Sequence, residues 1–205
     1  RGLGHRGAAV RHPGGGLRRR GRGGRRGRCY LHVPRQRHRP RRGAREAGAD
    51  YTSTEFTAAS GLSRQDAKSW AKVETHARED PFIPQIFGGI EDEMVETARL
   101  LSKNADVIDL NFGCPAPKVT KTCAGAAMMG EPDNLVSMVE RCIEARAVPV
   151  SVKMRLGTGQ NAITVLEIAE RCAQLGVLRI CVHGRTLAQK YRGVADWDMI
   201  RQVVE

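Results

Sequence analysis

A thiol stands directly behind a short apolar strand in Asp106-Val107-Ile108-Asp109-Leu110-Asn111-Phe112-Gly113-Cys114-Pro115. Apolar side chains at Val107, Ile108, Leu110 and Phe112 fit a buried strand. Gly113 and Pro115 stop it and present Cys114 on the loop that follows. A cysteine just past the carboxyl end of a parallel strand sits where an α/β barrel keeps its catalytic groups. The alternative is a small, buried, inert residue filling a turn. Four further polar side chains share this placement. Gln85, Asn111, Lys153 and His183 each lie at or just past the carboxyl end of a predicted strand, so with Cys114 they form a ring of amide, thiol, ammonium and imidazole groups drawn from four strands.

The elements that must position this ring follow from the patterning. Tyr51 to Phe56 is rich in β-branched and aromatic residues and predicts a strand. Ser63 is the expected N-cap of a polar helix reaching Arg78. Phe82 to Phe87 predicts the second strand, closed by Gly88-Gly89. Glu91 to Ser102 predicts a helix with acids in its first turn and Met94, Ala98 and Leu101 on one face. After the central strand, Pro132 to Arg146 predicts a helix built on Leu135, Val136, Val139 and Ile143. Val148 to Met154 is the fourth strand, and Ile163 to Leu175 a helix that Gly176 ends. Val177 to His183 is the fifth strand, and Trp197 opens a last helix running to Glu205. Strands alternating with helices imply βα units and a parallel sheet. No Gly-x-Gly-x-x-Gly follows the first strand, which argues against a dinucleotide-binding sheet. The ring of polar residues at strand ends favours a (β/α)8 TIM barrel, of which about five of eight units are expected here.

Charge divides the chain into two parts. Residues 1–42 hold fifteen arginines, no lysine and no acid; removing these from the 34 Lys+Arg leaves 19 bases against 22 acids, so residues 43–205 carry a net charge of −3. The first segment, 1–43, offers almost nothing to bury and is expected to be disordered, with 44–205 forming the barrel domain. It reads either as an Arg/Gly-rich arm for RNA phosphates or as out-of-frame translation of a GC-rich gene. The abrupt return of ordinary patterning near Arg45 favours the latter. In the body, the loops after the third, fourth and fifth strands lack acids over Leu110–Gly130, Val148–Leu166 and Val177–Ala195. These loops carry Lys118, Lys121, Lys153, Arg155, Arg179, Arg185, Lys190 and Arg192, a basic rim suited to a polyanion. Six scattered cysteines without a Cys-x-x-Cys pair point to free thiols in a reduced, cytoplasmic protein, and no metal site is expected. No apolar run is long enough for a signal peptide or a membrane span, so no membrane partner is expected.

The ordered set Gln85-Ile86-Phe87-Gly88, Asp109-Leu110-Asn111-Phe112-Gly113-Cys114-Pro115, Lys118-Val119, Ala124-Gly125-Ala126, Pro149 to Arg155 and Val182-His183-Gly184-Arg185-Thr186 resembles the tRNA-dihydrouridine synthases. The resemblance covers roughly Arg45 to the end. It implies an FMN enzyme that reduces a uridine of tRNA to 5,6-dihydrouridine and uses NADPH to recharge the flavin. By position, Gln85, Lys153 and His183 would bind the flavin, Cys114 would be the general acid that protonates C5 of the uracil, and Asn111 would position the base. Arg185 is the first choice for a phosphate contact, ahead of Lys118, Lys121 and Arg192. The family's first barrel strand, its last two strands and its helical tRNA-docking domain have no counterpart in the sequence. The expected chain is therefore an incomplete member with open sheet edges, weak in FMN binding and of doubtful activity by itself; a completed barrel would be a monomer. Two other functions remain in view: an FMN-dependent dehydrogenase of a free pyrimidine or other small substrate, and an inactive fragment or RNA-binding protein.

Overall fold

The computed structural model describes residues 8–9, 30–31, 39–75 and 79–205. In chain order its elements are β1 (Ala8–Ala9), β2 (Tyr30–Leu31), α1 (Arg39–Glu46), β3 (Tyr51–Ser53), β4 (Thr57–Ala58), α2 (Ala59–Ser63), α3 (Ala67–Trp70), β5 (Phe82–Ile83), β6 (Gln85–Phe87) and α4 (Glu91–Leu101). Then come β7 (Ile108–Phe112), α5 (Pro117–Thr120), a 3₁₀ turn (Gly125–Gly130), α6 (Pro132–Glu144), β8 (Val150–Arg155), β9 (Gly157–Gly159), β10 (Ala162–Ile163), α7 (Val165–Gln174), β11 (Arg179–His183) and α8 (Trp197–Val204). The expectation of disorder over residues 1–43 falls mainly outside the described residues. Helix α1 lies across that boundary, and its buried Arg41 pairs with Glu79 at 3.0 Å and donates to the Glu74 carbonyl at 2.9 Å.

One sheet runs β1-β11-β8-β7-β6-β4, and a second runs β2-β3-β5. Every pairing in them is parallel except β1 on β11. The first two barrel strands are each interrupted. Pro84 has no N–H for the ladder, so β5 and β6 fall on either side of it and change sheets. The parallel strands with helices between them make this a partial TIM barrel.

The pleat explains how one sequence serves two environments, because alternate residues of a strand face opposite sides. Ile108, Leu110 and Phe112 of β7, Val150, Val152 and Met154 of β8, and Ile180 and Val182 of β11 belong to the apolar core. The same core takes Met94, Ala98 and Leu101 of α4, Leu135, Val136 and Val139 of α6, and Val165, Ile168 and Cys172 of α7. The intervening residues of the strands face the other way, into the barrel. They are Asp109 and Asn111, Ser151, Lys153 and Arg155, and Arg179, Cys181 and His183.

The helix expected from Ser63 to Arg78 is different in the structure over its described part. Helix α2 ends at Ser63, Gln65 takes a positive φ of 58°, and α3 starts afresh. Asp66 is the true N-cap: its carboxylate accepts from Ser69 N and Ser69 Oγ, both at 2.8 Å. These bonds hold Asp66 well below the usual carboxylate range. Such local side-chain bonds compete with a continuous helix.

Leu110 is fully buried between sheet and helices, so Leu110→Ala is expected to lower stability by about 3 kcal/mol. Val194→Ala, at a side chain 81% exposed, is expected to change it by less than about 0.5 kcal/mol. Urea denaturation followed by circular dichroism measures both.

Candidate active site

The barrel-facing residues form rows across the sheet. Backbone register aligns Gln85 with Asp109, Asp109 with Ser151, and Ser151 with Arg179. Two residues higher, Asn111 aligns with Lys153 and Lys153 with Cys181; two higher again, Arg155 aligns with His183. Residues in register point the same way, so these side chains rise as tiers toward the carboxyl ends of the strands.

The lowest tier is a closed polar network. Asp109, 1% exposed, accepts from the Ser151 hydroxyl on Oδ1 and from Gln85 Nε2 on Oδ2. Its counter-charge is Arg179, whose Nη2 lies 3.6 Å from Oδ1 and donates to Ser151 Oγ at 3.2 Å. The Arg179 guanidinium also covers the Tyr51 ring at 4.5 Å. Gln85, fully buried, accepts on Oε1 from Asn111 Nδ2 at 2.8 Å. Asn111 Oδ1 in turn accepts from the backbone N–H groups of Gly113 and Cys114, each at 3.0 Å.

That last pair of bonds shapes the Gly-Cys-Pro turn. Cys114 is 7% exposed and packs with Val119 and Ala124, against Phe56, Phe87 and Ala116. Gly125 has a φ of +59°, and a Cβ there would lie 2.8 Å from the Cys114 carbonyl oxygen; only glycine accepts both conditions. From the opposite side Arg155, 1% exposed, donates from Nε to the Gly113 carbonyl at 2.8 Å. Its Nη1 donates to the carbonyls of Thr186 at 3.1 Å and Lys190 at 2.7 Å, and Tyr191 stands over its guanidinium at 5.4 Å. One buried cation thus ties the Cys114 turn to the loop after β11. Burial pulls the Arg155 pKa below its ordinary value.

Lys153 differs from both arginines. It is half-buried, and no hydrogen bond or ion pair joins its ammonium to a described residue. A Cβ at Gly113 would sit 3.5 Å from Lys153 Nζ, so the ammonium lies directly beside the Gly-Cys-Pro turn. His183 Nε2 lies 3.1 Å from Arg185 Nη1. Arginine only donates, so a hydrogen bond between them requires His183 Nε2 to accept. Arg185 also donates from Nη2 to the Gly193 carbonyl at 2.8 Å, which holds it over the loop rather than extended into solvent. Lys118, Lys121, Lys190 and Arg192 are exposed around this face.

The structure therefore brings Gln85, Asn111, Cys114, Lys153, His183 and Arg185 to one end of the sheet. Sequence reading passed over Asp109 and Ser151 and took Arg155 for a rim charge. The signal for all three was their phase, since each falls on the same strand face as Asn111 or Lys153. Among the described residues no group of three or more His, Cys, Asp or Glu is gathered for a metal, and no helix is long and apolar enough to cross a membrane.

The fold is that of a partial TIM barrel whose strands carry a polar, thiol-bearing set of side chains toward their carboxyl ends. The family model described as dihydrouridine synthase matches residues 37–205. The chain is 39% identical over 159 residues to a probable tRNA-dihydrouridine synthase of Rhizobium leguminosarum bv. phaseoli, covering 77% of this chain and 50% of the relative. It is 36% identical over 164 residues to the protein of the same description in Treponema pallidum, covering 77% and 48%. To the human tRNA-dihydrouridine(47) synthase [NAD(P)(+)]-like protein it is 31% identical over 167 residues, covering 80% and 26%. The chain belongs to the dihydrouridine synthase family. It spans half or less of the length of these curated relatives.

Replacing Arg155 with Met leaves the buried Gly113 and Thr186 carbonyls and the Lys190 carbonyl without this donor. Arg155→Met is expected to cost about 2–4 kcal/mol of stability in urea denaturation. The thiols are separable by chemistry. Burial pushes the thiols of Cys142 and Cys172 up to about 12 and raises that of Cys181, whereas Cys123 is exposed. Among the described cysteines, iodoacetamide at pH 8 is expected to modify Cys123 first and spare Cys142, Cys172 and Cys181, as read by peptide mass spectrometry. The folded core accepts only neutral thiols at Cys142 and Cys172. Their contribution is therefore fully present below the ordinary thiol value of 9.0 and lost as pH rises from there toward about 12. Urea midpoints measured at pH 8 and pH 10 are expected to show that decline.

Proposed function

We propose that the protein reduces a uridine of tRNA to 5,6-dihydrouridine, with FMN as its cofactor and NADPH as reductant, in the cytoplasm. The observation that carries the reading is the half-buried Lys153 ammonium. It has no acid partner among the described residues, stands in register with Asn111, and lies beside Gly113. A half-buried cation without an acid partner among the described residues favours an electron-rich ligand at that point. The donor set fits FMN. Lys153 offers three N–H groups, and Gln85 has a second Nε2 hydrogen beyond the one given to Asp109. Gln85, Lys153 and His183 would hold the polar edge of the ring. When bound, FMN supplies the hydride chemistry.

Each remaining role belongs to a side chain of this protein. Cys114 Sγ holds the proton delivered to C5 of the uracil. Asn111 keeps the Cys114 turn in shape through Oδ1 and has one Nδ2 hydrogen left for the base. The exposed Lys118, Lys121 and Arg192, with Arg185, meet tRNA phosphates. The target base leaves its stack to reach this depth. Support for the substrate comes from the relatives, whose descriptions name tRNA-dihydrouridine synthases, and for the reductant from the NAD(P)(+) in the human relative's description. The basic rim favours tRNA over a free pyrimidine.

The test is dihydrouridine formation, measured by nucleoside mass spectrometry, with a form of the protein whose barrel is completed at both ends, FMN, NADPH and bulk tRNA lacking the modification. Dihydrouridine is expected in the tRNA, with free uracil left unreduced. Cys114→Ala is expected to lower the rate by about a hundredfold or more. Reduction of uracil but not tRNA, or an unchanged rate for Cys114→Ala, would contradict the assignment.

A further inference from the structure

Four hydrogen bonds in the lowest tiers run in one direction. Gly113 and Cys114 N–H donate to Asn111 Oδ1, Asn111 Nδ2 donates to Gln85 Oε1, and Gln85 Nε2 donates to Asp109. Each primary amide could in isolation turn over and exchange its oxygen and nitrogen. Here neither can. The backbone N–H groups at one end only donate, and the carboxylate at the other end only accepts. The two ends impose the same polarity on both amides between them.

We infer that Asp109, which faces Arg179 and accepts from Ser151, is a positioning residue for Cys114: it sets the polarity of the Gln85–Asn111 amide chain that holds the Cys114 turn. The inference rests on the proposed role of Cys114 only for its catalytic meaning; the geometry stands by itself. With an amide at 109, the end of the chain is no longer an obligate acceptor. Its NH2 can face Gln85, which then turns Oε1 toward position 109 and Nε2 toward Asn111. Asn111 must follow, and its Nδ2 then meets the Gly113 and Cys114 N–H groups donor to donor. The turn loses its anchor although no side chain near it has changed size. Arg179 faces the carboxylate as its counter-charge in a site 1% exposed, and Ser151 donates to Oδ1.

The test compares Asp109→Asn with the double variant Gln85→Glu/Asp109→Asn. In the double variant the obligate acceptor moves to position 85. It takes hydrogen bonds from both the new amide at position 109 and Asn111, and Asn111 Oδ1 again faces the turn. The readout is amide hydrogen exchange at Gly113 and Cys114, followed by NMR on the uniformly ¹⁵N-labelled chain without cofactor or tRNA. Asp109→Asn is expected to speed exchange at both amides about tenfold or more, with amides on α6 unchanged. The double variant is expected to return them to within about threefold of the wild-type rate. Ser151→Ala, which removes a donor to Asp109 without altering the chain's direction, is expected to leave them protected. Should Asp109→Asn fail to fold, the double variant must still fold with both amides protected. Wild-type protection in Asp109→Asn, or equal loss in the single and double variants, would overturn the inference. Because no turnover is measured, that outcome is separate from any failure of dihydrouridine synthesis.

Discussion

In a pleated parallel sheet, residues in register across neighbouring strands face the same side, and alternate residues of one strand face opposite sides. This constraint turns β7, β8 and β11 into two-faced elements. Their outer faces are aliphatic and close the core against α4, α6 and α7. Their inner faces carry Asp109, Asn111, Ser151, Lys153, Arg155, Arg179 and His183, so the barrel interior here is polar where many barrels are packed with branched apolar residues. A shift of one residue in any of these strands would exchange the faces, burying charges against helices and exposing aliphatic side chains to the interior. The site therefore inherits its precision from the same register that stabilises the fold.

A polar interior is stable only when its groups satisfy one another. The lowest tier does so with an ion pair, a hydroxyl and two amides, and ends in the backbone of the turn that displays Cys114. Arg155 does the same from above, giving its hydrogen bonds to three carbonyls rather than to an acid. Arginine suits this task because its planar fork spans several acceptors at once. Lys153 is left outside both systems.

Much of this was legible in the sequence because chemistry-bearing residues at strand ends are conspicuous. Gln85, Asn111, Cys114, Lys153 and His183 each interrupt or end an apolar run, and the βα rhythm identifies the barrel. Less visible were residues inside a strand. Asp109 reads as an ordinary polar alternation until the register sets it beside Ser151 and Gln85. Arg155 looks like one rim cation among several, because sequence does not reveal that it is buried. The helix expected from Ser63 was misread since two competing caps lie three residues apart, and the one that also bonds Ser69 Oγ prevails.

The central claim is that Lys153 and its neighbours form a flavin cradle at the mouth of this sheet. Titrating FMN into the chain and following quenching of flavin fluorescence tests it most directly. A cradle of this kind predicts saturation at one FMN per chain, with affinity reduced about tenfold or more when Lys153 is replaced by Met. Absence of saturable quenching by the folded chain, or equal affinity for the Lys153→Met variant, would contradict it.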